Sequence, residues 1–384
     1  MRNLPKILLL LLGCLAWSHA QSGSDLQSDA TKPGNGGAQS ETDDDFQRFT
    51  ALPILGYSEE TKLQYGAMTI LFFKPSFKGG QTSEIDLAAY GSTRKQFQFL
   101  AVPYFYLFHD QVSGWLDFRY QDWFGHYYGL GNDPDFDDYR SFNRKTYAFT
   151  TLIESNFGLP TNFKQIKYGL TTDFTHTDVH WRSYDGDLLT PDDEPELPDS
   201  QNGWRSGIGY HLTFDSRDNT NWSRHGYLAQ WDHRFYSDAL GDYSFTYQEL
   251  DLRGFSEFIW NTSMAVGILW QRVDGNVPFD MLAGPDGIQR FRGVESNLFQ
   301  GNQTLILQTE FRKELFWRLA GDIFFEGGKA GKYFSDLLRE DWHRAVGFGG
   351  QLALNLKEKL YARGELSWVD FKEIGISVYI REAF

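Results

Sequence analysis

Ser263-Met264-Ala265-Val266-Gly267-Ile268-Leu269-Trp270 is the stretch that decides the fold. Met264, Val266, Ile268 and Trp270 recur at every second position and share one face of an extended chain, while small residues fill most of the other face. Gln351 to Leu356 repeats the pattern, with Leu352, Leu354 and Leu356 alternating with Gln351, Ala353 and Asn355. Such alternation describes a strand with one apolar face and one wet face. Marked backward from the C-terminus, sixteen segments of this kind fit between residues 49 and 384, among them 145–158, 165–177, 261–273 and 317–328. An even number brings both ends of a closed antiparallel barrel to the same rim. The long connections expected from this marking, 127–144, 178–203, 274–302 and 329–343, all follow odd-numbered strands, so one rim carries the long loops.

Composition places that barrel in a membrane. The chain holds 12 Trp, 20 Tyr and 33 Phe beside 38 Gly, and this aromatic excess is what girdles at two membrane interfaces require. After the first residues, the longest apolar run, Phe99 to Phe108, is interrupted by Pro103 and falls far short of the roughly 20 residues a spanning helix needs. Ring closure would satisfy every backbone donor and acceptor internally, the condition for sitting in hydrocarbon. A soluble sandwich or propeller shares the alternation, but not its combination with a secretory leader, aromatic excess and one-sided loop lengths.

Residues 1–20 read as a signal peptide: Arg2 and Lys6, an apolar run from Ile7 to Leu12, and the small-residue exit Ser18-His19-Ala20. Leu11-Leu12-Gly13-Cys14 also has the form of a lipoprotein processing site, which would leave a lipid on Cys14. Cys14 is the one cysteine of the chain, so cleavage after Ala20 leaves a mature protein without disulfide or thiolate chemistry. Residues 21–48, rich in Ser, Gly, Asp and Gln, read as a flexible polar periplasmic leader, and residues 49–384 as the barrel. The formal charge is −15, and loss of Arg2 and Lys6 makes it more negative, which argues against nucleic acid as a partner. Acidic stretches from Asp133 to Asp138 and from Asp185 to Asp199 fall in the long loops, where divalent cations could bridge them to lipopolysaccharide. An exported barrel of this kind is expected in the outer membrane of a Gram-negative bacterium, among its lipids.

Leu282-Ala283-Gly284-Pro285-Asp286-Gly287-Ile288-Gln289-Arg290-Phe291-Arg292-Gly293-Val294 lies between the eleventh and twelfth segments. It resembles the Arg-Gly loop motif of the BamA/TamA-type surface-antigen barrels, in which this loop folds into the lumen. The resemblance puts the motif at Phe291, Arg292 and Gly293, with Val294 where an aromatic is usual. Phe325-Glu326-Gly327-Gly328 is similar to the family's aromatic-Asp-small-Gly segment on the thirteenth strand, with Glu326 in place of the aspartate. A luminal arginine keeps its charge and needs a carboxylate, and Asp322, Phe324 and Glu326 share the inward face of that strand, so Glu326 is the expected partner of Arg292. Leu52-Pro53-Ile54-Leu55-Gly56-Tyr57-Ser58-Glu59-Glu60-Thr61 followed by Tyr65-Gly66-Ala67 looks like the family's opening hairpin. Asp215-Ser216-Arg217-Asp218-Asn219 with Gly226 looks like its periplasmic turn, carried by Asp215, Arg217 and Asp218, and Tyr127-Tyr128-Gly129-Leu130-Gly131-Asn132 is similar to the start of one of its loops. The amphipathic end, closing on Phe384, resembles the signal by which outer-membrane assembly machinery recognises a new barrel.

The resemblance implies a role in inserting or translocating outer-membrane proteins, with client barrels or a separate periplasmic partner engaged. The residues ahead of the first strand are too few for even one periplasmic docking (POTRA) domain, so a barrel-only member is expected. The alternative is a passive pore or structural barrel, and the third reading is a barrel-embedded lipid hydrolase. Against the last, His211 and Asp215 share a strand face while Ser216 points to the other, so no triad converges there. His-Glu-x-x-His and Gly-x-Ser-x-Gly are absent, and His176, His180, His211, His225 and His233 show no ligand spacing. Neither enzymatic activity nor a metal or cofactor is expected.

Overall fold

The computed structural model describes residues 47–380, apart from 59–61, 76, 78–79, 134–138, 161–162, 183–201, 288, 295, 297 and 357–358. The signal peptide, nearly all of the leader, both acidic stretches and Phe384 therefore lie, wholly or in large part, outside the described residues. Sixteen strands follow one another: β1 Phe49–Ser58, β2 Lys62–Phe73, β3 Ser83–Ser92, β4 Phe97–Leu107, β5 Val112–Tyr127, β6 Arg140–Ser155, β7 Ile166–Arg182 and β8 Gly203–Asp215. They continue as β9 Gly226–Tyr236, β10 Phe245–Glu257, β11 Ser263–Gly275, β12 Gln303–Phe316, β13 Leu319–Gly331, β14 His343–Asn355, β15 Leu360–Val369 and β16 Glu373–Ile380. Each is antiparallel to the next in one sheet whose spatial order is the chain order. No described helix is long and apolar enough to cross a membrane.

The alternation read from sequence sets the two faces. Where β11 meets β12, Ala265 stands opposite Glu310, Gly267 opposite Gln308 and Leu269 opposite Ile306; Ala265, Leu269, Ile306, Gln308 and Glu310 are all buried. Their neighbours Val266, Ile268 and Leu307 are about 40% exposed, as are Ile323 and Phe325 on β13 at nearly half. Arg292, Arg312 and Arg363 are meanwhile among the largest fully buried side chains. Apolar residues outside and ionised ones inside invert a soluble protein, and lipid is the solvent that suits that outer face.

The longest connections, those after β5, β7, β11 and β13, lie on one rim. Two boundaries depart from the expected ones by five residues, where the others within the described residues shift by three or fewer: β6 begins at Arg140 rather than 145, and β7 runs to Arg182 rather than 177. The ladder continues there through Ser141–Arg182, Asn143–His180 and Lys145–Asp178. Polar residues stand on both faces of that stretch, so the apolar half of the alternation stops while pairing does not. At about 3.4 Å per residue, the 17-residue β7 far exceeds the roughly 25 Å apolar band even when tilted, and its upper end stands in water. Side chains draw the ends of the sheet together: buried Ile70 and Phe72 of β2 cluster with Leu360 of β15, and Met68, Leu354 and Ile380 pack on them.

Candidate functional site within the barrel lumen

The connection between β11 and β12, residues 276–302, folds back among the strands and is held at three ionic points. Phe279 opens it, edge-on to Tyr127 at 5.6 Å and to Phe142 at 5.2 Å. Beside it the Asp280 carboxylate accepts from Arg205 of β8 at 2.7 Å, with Arg144 of β6 at 3.6 Å. Burial alone would raise the Asp280 carboxyl, but Arg205 and Arg144 outweigh it and hold the group below the usual carboxylate range. Because the folded value is depressed, this anchor contributes stability above the ordinary carboxylate pKa and loses it as pH falls through the lowered one. Asp280→Asn is therefore expected to cost about 1.5–3 kcal/mol at neutral pH, with the difference shrinking in acid, read from denaturant midpoints of the two proteins across pH.

Farther along, Asp286 Oδ1 accepts the backbone N–H groups of Gln289 and Arg290, both at 2.7 Å, tightening the turn that presents the motif. Arg290 donates to Asp251 of β10 and, at 2.6 Å, to Gln308 of β12. Phe291 follows in the left-handed region at φ +62°, an outlying conformation for a bulky residue, fully buried and edge-on to Phe299 at 5.1 Å.

Arg292 is the centre. Its backbone N–H donates to Glu326 Oε2 at 2.6 Å and its Nε to Glu326 Oε1 at 2.7 Å. Its Nη1 reaches Glu310 at 2.6 Å and Glu365 at 3.0 Å, and the guanidinium lies 3.7 Å from the centre of the Phe324 ring. Burial opposes the charge, but Glu326, Glu310 and Glu365 together keep the arginine protonated. The network extends to Arg363, which pairs with Glu365 at 2.5 Å and Glu310 at 3.0 Å, and to the Tyr379 hydroxyl of β16, 3.2 Å from Glu365. Glu310, Asp322 and Glu365 offer carboxylate oxygens within 4.8 Å of one another, as a metal site would. Arg363 stands among all three, so the charge that a cation would neutralise is met by guanidinium.

Gly293 comes next at φ +84°. A Cβ here would strike Ser367 Oγ of β15, and one on Gly375 of β16 would strike the Gly293 carbonyl. The loop tip thus lies backbone to backbone against the last strand.

The turn expected at Asp215, Arg217 and Asp218 closes on itself. Asp215 accepts Arg217 Nε at 3.0 Å and Nη2 at 2.8 Å, and Asp218 Oδ1 accepts the N–H groups of Arg224 and His225 at 2.9 and 3.1 Å. Sequence reasoning missed its most consequential residue, Trp222, which Asn219 aims inward by accepting the Trp222 N–H at 2.8 Å. Trp222 is 1% exposed among Ala320, Ala353 and Tyr361, with Arg312 at 5.1 Å over the ring. A lone tryptophan in an otherwise polar turn was the available signal. The Tyr127–Asn132 segment also meets the loop: Gly131 bridges Gln300, and Asn132 Oδ1 accepts the Ala330 N–H at 2.8 Å. His211 joins Thr213 at 2.9 Å and Asp232 at 3.2 Å, not Asp215 or Ser216. In the opening hairpin, Ile54 stands opposite Gly66.

No protein-family model and no curated protein matches this sequence. Solved structures do share its fold. BamA from Haemophilus ducreyi lacking POTRA domains 1–3 aligns with a TM-score of 0.52 at 13% identity, over 87% of this chain and 69% of that one. CdiB from Acinetobacter baumannii aligns with a TM-score of 0.54 at 9% identity, over 88% of this chain. The chain spans only 60% of the CdiB chain. At such identities the likeness is one of fold: a BamA-type β-barrel of the outer-membrane kind.

Proposed function

We propose that this BamA-type barrel takes part in inserting or translocating other proteins at the outer membrane, with the luminal loop coupled to the seam between its first and last strands. One observation carries the reading: the Arg292-Gly293 tip is ion-paired to β12, β13 and β15 and packed on Gly375 of β16. A loop so placed moves only if the last strands move with it. The seam itself is built for separation. Pro53 gives β1 no N–H at its centre, and the contact between Met68 and Ile70 of β2 and Leu360 and Ile380 is made by side chains.

Client barrels of the outer membrane are the proposed substrates, met alone or through a separate periplasmic partner. Liposomes carrying the refolded protein are expected to speed folding of a small urea-denatured outer-membrane barrel several-fold over empty liposomes, with Gly375→Ala removing the acceleration. Equal rates with and without the protein would return the chain to the passive structural reading.

A further inference from the structure

A cavity of about 280 Å³ lies between β5, β6 and the infolded loop, on the long-loop half of the lumen and apart from the Arg292 network. Trp123, Tyr127, Phe142 and Phe279 give it aromatic walls, and Trp123 is braced edge-on by Tyr90 at 5.3 Å. Two buried polar atoms belong to residues lining the same space and, among the described residues, have no hydrogen-bond partner: Gln300 Oε1 and Arg144 Nε. Gln300 is 1% exposed, and its amide nitrogen is already committed to the Gly129 carbonyl at 3.1 Å. An acceptor and a donor therefore wait among aromatic walls, a costly arrangement unless something meets both.

We propose that this cavity binds a single neutral pyranose sugar. The space equals about nine waters at roughly 30 Å³ each, enough for one six-membered ring and too little for an extended peptide. A pyranose offers C–H faces that lie on aromatic walls and hydroxyls at its rim that both donate and accept, so one molecule can satisfy Gln300 Oε1 and Arg144 Nε together. A purely apolar ligand would leave both unmet. An anionic ligand is disfavoured because Asp280 stands 3.6 Å from Arg144. Gln121 and Ser296 supply further side-chain polar groups on the lining. Trp123 and Tyr127 lie on the part of β5 that leads into a long loop, so the sugar would arrive from outside the cell, free or as the end of a surface glycan.

Saturation-transfer NMR of the refolded protein, in a detergent without a sugar headgroup, tests this with methyl glucoside, methyl galactoside, methyl mannoside and glucuronate. At least one neutral glycoside should give saturable transfer, with a dissociation constant on the order of millimolar, weakened at least tenfold in Gln300→Leu and in Trp123→Ala. Whichever variant keeps its strand content decides the point. Transfer only from glucuronate would overturn the neutral assignment. No transfer from any probe, or transfer that neither substitution alters, would overturn the site.

Discussion

Arg292→Ala should lower the stability of the barrel by about 3–5 kcal/mol, the cost of breaking a buried ion pair while its partners stay buried. The size follows from the surroundings. Arg292 and the carboxylates of Glu310, Glu326 and Glu365 are at most 1% exposed, so truncation strands several anions with no water to receive them. Arg292→Lys should recover less than half of the loss. A single ammonium can take one place in a site that uses Nε, Nη1 and the flat guanidinium over Phe324 at once. Glu326→Gln should cost less than Glu326→Ala, because the amide can still accept one of the two hydrogen bonds from Arg292. Denaturant unfolding in liposomes measures all four proteins, and an Arg292→Ala shift under 1 kcal/mol would mean the loop is not held as described.

Gly293→Ala is the second large effect, and it has two separable parts. Any side chain at φ +84° costs roughly 1–2 kcal/mol in backbone strain. The added Cβ also meets Ser367 Oγ and, at 3.3 Å, the Cα of Gly375. Combining Gly293→Ala with Ser367→Gly should therefore restore the steric part of the loss and leave the strain. Purely additive losses would mean that the loop tip and β15 are not in contact. The same construction makes Gly375→Ala disruptive at a position where an exposed strand glycine would be neutral.

Much of the barrel was legible in the sequence because its physics is periodic. Lipid on one face and water on the other force an apolar residue at every second position, so Met264 to Trp270 and Leu352 to Leu356 identify their strands without help from tertiary structure. The reading stopped short at Arg140–Lys145 and Asp178–Arg182, where β6 and β7 rise beyond the lipid and the asymmetry that produced the pattern ends. Arg292 and Glu326 could be paired because a loop motif and a strand segment resembled known ones together. Glu310, Arg312, Arg363 and Glu365 could not be singled out, since every lumen-facing strand position favours polar residues and alternation alone does not say which of them meet. Asp280 with Arg205 and Arg144, and Trp222 with Arg312, join positions 75 to 136 residues apart that only the tertiary fold brings together. No local pattern records those meetings. Arg312 also stands 3.9 Å from Glu310, so the luminal loop and the inward turn meet through one buried carboxylate.

The tie between Arg292 and Glu326 holds the β11–β12 connection in the lumen. Planar-bilayer conductance of the refolded protein tests it most directly, with wild type compared with Arg292→Ala, Glu326→Ala, and each combined with Trp222→Ala. A low, flickering wild-type current should become large in both single variants and larger still when Trp222 is also removed. A steady, large wild-type current that neither single substitution alters would contradict it.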